Sequence, residues 1–267
     1  MHVQAEPGKR YLGVVTPRLA AFDRATGVKA NLTVRYLALG RPFPLASVQD
    51  DAALGAETLI EILPRGVTLR SVASGRQDAW LRSVAAGIRA SGDAVMLSFA
   101  PEANGPWYPW GYHHASPAQF IAAYRRVHNV ITAAGARDVT WVWQVSHQYA
   151  RSEPVRALWP GRRYVDVAGI DGYFESGHDT FGNLFGVTLR AIRRFSSVPA
   201  LITETAAGQV AGQAAEIPSL FAGVRADHLL GLVWFDIAQH RGLHHQDWQL
   251  NGAGLAAFRK AAARIRG

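Results

Sequence analysis

Along this chain, short runs of β-branched and apolar residues alternate with stretches in which apolar side chains return every three or four positions. Eight runs stand out: YLGVV from Tyr11, LTVRYLAL from Leu32, TLIEIL from Thr58, AVMLSF from Ala94, VTWVWQV from Val139, VDVAGI from Val165, ALITET from Ala200 and GLVWFD from Gly231. Strands separated by helical stretches argue for parallel strands joined by crossover helices rather than for a sandwich. Eight is the number that closes a (β/α)8 TIM barrel, and that is the expected fold.

The helical stretches are best marked late in the chain. In SPAQFIAAYRRVHNVITAAG, Phe120, Ile121, Tyr124, Val127 and Ile131 fall at helical spacing. Ser116 is placed to cap, Pro117 suits the first helical position, Gln119 sits where a capping-box partner belongs, and Gly135 can end the helix. Similar segments run over 78–91, 183–195, 214–226 and 253–265, with a shorter one over 20–29. No repeat, linker or low-complexity tract interrupts this order, so one domain over residues 1–267 is expected.

Composition narrows the class. Hydrophobic residues make up 49% of the chain and charged residues 18%, and no apolar run approaches the roughly 20 residues needed to cross a bilayer. The expectation is a soluble protein with no membrane partner. The net charge of +8 comes almost entirely from arginines scattered along the chain, with no basic stripe or recognisable module of the kind a nucleic-acid interface needs. No nucleic-acid partner is expected. Without cysteine there is no disulfide, no thiolate nucleophile and no sulfur-ligated metal. MHVQAEPGKR lacks the apolar core of a signal peptide, so the expectation is an extracellular protein whose leader is absent from this chain, with a cytoplasmic one as the alternative.

In such barrels the active site lies at the carboxyl ends of the strands, so the polar residues just past each apolar run are the candidates. Two glutamates qualify: Glu102 after AVMLSF, and Glu204 at the end of ALIT. Each is isolated from other acids and follows a strand expected to be buried on both faces, where an unpaired carboxylate is costly. One alone suggests a surface or capping charge. The pair, facing each other across a barrel mouth, is what glycosidic bond cleavage requires. Aromatic residues favour a sugar: Trp107, Tyr108, Trp110 and Tyr112 crowd the loop after Glu102, while Trp143, Tyr173 and Trp234 lie near other strand ends. Flat rings pack on the C–H faces of sugars, and the tips of Trp and Tyr hydrogen-bond. His240, His244 and His245, or His113 and His114, could be read as zinc ligands, but QHRGLHHQDW contains a glycine and follows a strand as a loop, so contacts to sugar hydroxyls fit them better. No metal and no cofactor is expected.

These motifs resemble glycoside hydrolase family 26, a retaining barrel family best known for β-mannanases. Glu102, Asn104, Gly105, Trp107 and Trp110 in PEANGPWYPW fall at the family's spacing for its acid/base loop. GARDVTWVW, WPGRRYVDVAGIDGY and ITET are similar to its fifth-strand, sixth-strand and nucleophile segments. The resemblance implies Glu102 as general acid/base, Glu204 as nucleophile, Tyr173 as a hydrogen-bond donor to it, and Trp234 as the floor of the cleavage subsite. Trp107, Trp110, Asn104, Trp143 and His113 complete the expected sugar contacts. Two departures stand out: Pro101 where the family has histidine before its acid/base, and QVS where it commonly has serine, proline and asparagine. The expected activity is a monomeric retaining endo-β-glycanase acting on β-1,4-mannan or glucomannan. The alternatives are a β-glucanase or β-1,3-xylanase of the same family, or a barrel that binds carbohydrate without cleaving it.

Overall fold

A computed structural model describes residues 10–208, 212–238 and 247–264. Eight parallel strands close into a barrel in chain order, the fold expected from the sequence: β1 (Tyr11–Val15), β2 (Leu32–Ala38), β3 (Glu57–Leu63), β4 (Val95–Phe99), β5 (Val139–Ser146), β6 (Val167–Asp171), β7 (Ala200–Thr205) and β8 (Gly231–Phe235). Each strand overlaps one of the eight apolar runs. β1 pairs with β8 in parallel, from Tyr11 beside Gly231 to Val15 beside Phe235, which closes the cylinder.

Side-chain alternation divides the strands between two cores. Tyr11, Val15, Leu32, Val34, Leu59, Met96, Val142, Val167, Leu201 and Val233 fill the inside of the barrel. The intervening residues, such as Ile60, Leu97, Trp143, Ile170 and Trp234, face outward into the layer between strands and helices. Both faces are buried, which is why the strands read as apolar runs.

The helices are α1 (Leu19–Thr26), α2 (Leu45–Ala53), α3 (Leu69–Ala73), α4 (Asp78–Ser91), α5 (Pro117–Ala133), α6 (Val187–Arg193), α7 (Gln213–Ala226) and α8 (Gly252–Ala262). α5 has the expected capping box: the Ser116 side chain accepts from the Gln119 amide at 3.3 Å, and the Ser116 amide donates to Gln119 Oε1 at 2.9 Å. α6 is shorter than expected because a wider π turn over Gly182–Gly186 precedes it. Neither α2 nor α3 was marked by the periodicity. α3 is five residues long, too short to establish a period, and α2 follows Pro44 with no side-chain cap. Among the described residues, no helix is long and apolar enough to cross a membrane.

Candidate active site

A cavity of about 810 Å³ opens at the carboxyl ends of the strands, and both Glu102 and Glu204 line it. Each is brought there by a local break in regular backbone.

On β7 the break is a bulge. Ile170 pairs with Ile202, but the next residue of β6, Asp171, pairs with Glu204, so Thr203 is an extra residue in β7. The same extra residue appears against β8, where Leu232 pairs with Ile202 and Trp234 with Thr205. Strict alternation would send Thr203 inward and Glu204 outward. The bulge re-aims the strand, and both point into the barrel. Thr203 donates to Asp171 Oδ1 at 2.6 Å, while Glu204 accepts hydrogen bonds on both oxygens. Tyr173 donates to its Oε2 at 2.7 Å, and Tyr36, from β2, donates to its Oε1.

On β4 the strand ends in a strained turn. Ala100 and Glu102 have φ of 51° and 54°, a left-handed conformation rare for residues with a side chain. Neighbouring elements hold it. The Ala100 amide donates to the Ile62 carbonyl at 2.9 Å and the Glu102 amide to the Gln144 carbonyl at 3.1 Å. The buried Asn104 side chain bonds both backbone groups of β5's last residue, donating to the Ser146 carbonyl at 2.8 Å and accepting from its amide at 2.9 Å. Trp107 Nε1 donates to Glu102 Oε2 at 2.8 Å, and its ring stacks on Tyr149 with 6.3 Å between centroids. A Cβ on Gly105 would come within 2.3 Å of that indole, so glycine is needed for the ring to lie where it does. Asn104→Ala leaves the two Ser146 groups without partners. Buried groups lose about 1–3 kcal/mol each in that way, so a loss of about 2–4 kcal/mol is expected in urea unfolding.

Two further carboxylates lie beneath this pair. Glu61 on β3 and Asp171 on β6 are buried, and both line the cavity. Gln144 Nε2 bridges them, donating to Glu61 Oε1 and to Asp171 Oδ2 at 2.8 Å each. Neither was expected from the sequence. Glu61 is hidden in the middle of TLIEIL and Asp171 ends a run that reads as core; their inward parity, shared with Val34 and Val167, is the signal that could have found them. Burial, and then the charge of Glu204, push the Glu102 carboxyl up to about 8, against the opposing Trp107 hydrogen bond. Burial also raises Glu204, but the Tyr36 and Tyr173 hydroxyls pull it back by binding its anion. Two donors against one put the negative charge on Glu204 and the proton on Glu102.

Residues 71–214, which include both glutamates, match the model of glycosyl hydrolase family 26. The chain belongs to that family. Endoglucanase H of Acetivibrio thermocellus is 26% identical to this family 26 chain over 91% of its length. A mannan endo-1,4-β-mannosidase of Bacillus subtilis is 26% identical over 42% of it. The chain spans 28% and 33% of the lengths of these two relatives. Among solved structures, a family 26 β-mannanase from Bacteroides ovatus superposes with a TM-score of 0.76 at 15% identity, covering 97% of this chain and 90% of that one.

Within this family 26 barrel, the other expected site residues divide into two groups. Tyr173 and Trp107 line the cavity with the glutamates. Trp110, Asn104, Trp143, Trp234 and His113 do not, and their expected sugar contacts are corrected. Trp143 and Trp234 lie on the outward parity of β5 and β8: Trp143 packs on Trp159 and Phe195, and Trp234 on Phe258 of α8. The inward neighbour Phe235 reaches the cavity instead. Trp110 is buried beneath the loop, donating to the Pro101 carbonyl at 2.8 Å, and Asn104 is the clamp on β5. His113 is exposed and lies on the Tyr112 ring. Tyr36, Glu61, Tyr149, Asp171 and Trp248 line the cavity without having been expected there. His240, His244 and His245 lie outside the described residues.

Proposed function

We propose that this barrel is a retaining endo-β-glycanase in which Glu204 is the nucleophile and Glu102 the general acid/base. The observation that carries the reading is the unequal treatment of two carboxyls in one cavity. Glu204 is bound by two phenols and Glu102 by a single indole, which matches a charged nucleophile beside a protonated acid. Glu204 attacks the anomeric carbon, and Glu102 delivers its proton to the departing glycosidic oxygen. The resulting ester neutralises Glu204, removing the charge that helped hold the proton on Glu102. Glu102 then takes a proton from the incoming water, whose oxygen attacks the anomeric carbon and frees Glu204. Trp107 and Tyr149, stacked at the rim beside Glu102, offer a platform for a sugar ring.

The substrate is a β-linked polysaccharide, β-1,4-mannan or glucomannan, cleaved by a monomer acting outside the cell that makes it, since such polymers do not enter cells intact. A second reading, β-glucan, is favoured by the similarity to endoglucanase H, which covers far more of the chain than the similarity to the mannosidases. Incubation with mannan, glucomannan, mixed-linkage β-glucan and β-1,3-xylan, with products separated by chromatography, distinguishes these. The first product should carry the β configuration by NMR; release of the α-anomer, or of nothing from any polymer, overturns the proposal.

Tyr173→Phe removes a donor to the anion of Glu204. A bond to a charged group contributes about 1.5–3 kcal/mol, so kcat/KM should fall about 10- to 100-fold. The pKa of Glu204 should rise as its anion loses support, moving the acid limb of the kcat/KM profile to higher pH. An unmoved limb would separate Tyr173 from the nucleophile.

A further inference from the structure

Glu61 has a position that the double-displacement reading does not use. It sits on the inward parity of β3, at one level with Tyr36 of β2 and Ser98 of β4. Only 2% of its surface is exposed, and it lines the floor of the cavity under Glu102 and Glu204. Its hydrogen bonding is one-sided. Gln144 Nε2 donates to Oε1, whereas Oε2 has no partner among the described residues, and Ser98 Oγ beside it is unpaired. Asp171, at the other end of the same amide, has both oxygens held, by Gln144 and by Thr203.

The groups facing Glu61 settle its charge. Tyr36 from β2, Glu102 after β4, Asp171 on β6 and Glu204 on β7 share its cavity, with Arg65 exposed at the rim. Four carboxyls cannot all ionise in a half-dry space, and the groups with the most donors keep their charge. Glu204 has two phenols; Glu61 has one amide N–H, and burial and then the Glu204 charge raise its carboxyl well above the usual range, as they also raise that of Asp171. The proton belongs on Oε2, the oxygen without a partner. Pro101, which also lines the cavity directly before Glu102, has no side-chain donor for a sugar hydroxyl.

We propose that Glu61 is a neutral carboxyl that donates its Oε2–H to a hydroxyl oxygen of the sugar in the cleavage subsite, positioning that ring over Glu204. The role rests on the glycanase reading above; the charge state does not. Hydrogen bonds to ring hydroxyls that strengthen in the transition state are an established part of glycoside hydrolysis.

Two variants and two readouts test this. Glu61→Gln keeps the shape, the neutrality, an acceptor for Gln144 and an N–H for the sugar. It should retain kcat/KM within about threefold and leave both limbs of the pH profile in place. Glu61→Met lacks the donor and should lose on the order of 100-fold in kcat/KM, the scale of one transition-state donor. A loss in Glu61→Gln as large as in Glu61→Met, or an alkaline limb that moves to lower pH, would mean that Glu61 works as an anion. No loss in Glu61→Met would mean that it does not touch the sugar.

The second readout needs no activity. A carboxyl protonated in the folded protein but ionised in the unfolded chain gives stability that is full below the unfolded pKa and is lost as pH rises toward the folded one. The urea midpoint of the wild type should therefore fall more steeply between pH 5 and 8 than that of Glu61→Gln. Equal slopes would overturn the neutral carboxyl even if no glycan were ever cleaved. Conversely, unequal slopes in a protein that cleaves none of the tested polymers would leave the charge assignment standing and remove the glycanase reading.

Discussion

Glu204→Ala is expected to cut hydrolysis of every glycan the wild type accepts by on the order of 10⁴- to 10⁶-fold, the range found when the nucleophile of a covalent mechanism is removed. The size follows from the geometry. Tyr36 and Tyr173 converge on this one carboxylate, and neither offers a replacement nucleophile. The variant should fold at least as well as the wild type, because it removes one of several crowded acids from the cavity. A thermal melt run beside the assay therefore separates loss of chemistry from loss of structure. Added azide should restore part of the rate and give a glycosyl azide of inverted configuration, since a small anion can enter the space of the missing carboxylate. Activity near wild type would sink the assignment.

The second large effect belongs to Glu102. Removing a general acid usually costs on the order of 10²- to 10⁴-fold, and Glu102→Gln should fall in that range on polysaccharide. The pH dependence is the sharper test. The acid works only while protonated, so wild-type kcat/KM should hold on the acid side and decline as pH rises through about 8, where burial and the Glu204 charge place its carboxyl. Glu102→Gln has no proton to lose there, and that decline should vanish. An aryl glycoside whose leaving group needs little protonation should still glycosylate Glu204 in the variant. The intermediate would then accumulate as a burst, because no base remains to activate water.

The fold was legible because a closed parallel barrel buries both faces of every strand, and that condition writes itself into the chain as eight apolar runs. The crowding of Glu102, Trp107 and Tyr173 at one end followed from strand ends, as did the place of Glu204. What spacing could not give was parity. Trp143 and Trp234 sit near strand ends as required, yet one residue of phase turns their indoles to the helices, and Phe235 takes the inward place. Trp110 and Asn104 belong to the loop after β4 in sequence, but they hold that loop from below. The acids of the floor were hidden for the opposite reason. Glu61 and Asp171 stand inside apolar runs, where an acid looks like an exception to the core, and only the pairing with Gln144 gives them a purpose. Tyr36 interrupts the apolar run of β2 as just another strand aromatic; its bond to Glu204 joins residues 168 positions apart.

The extra residue in β7 has a consequence for how this site can be lost. Glu204 stands opposite Asp171, an inward residue of β6, so deleting Thr203 restores even pairing and leaves the glutamate facing the cavity. What goes is the hydroxyl that holds Asp171 Oδ1, and with it one of the two donors to that floor acid. The nucleophile's address is thus set by its partner across the strands and not by counting along the chain. Thr203→Val and a single-codon deletion should remove the same bond and leave Glu204 aimed as before.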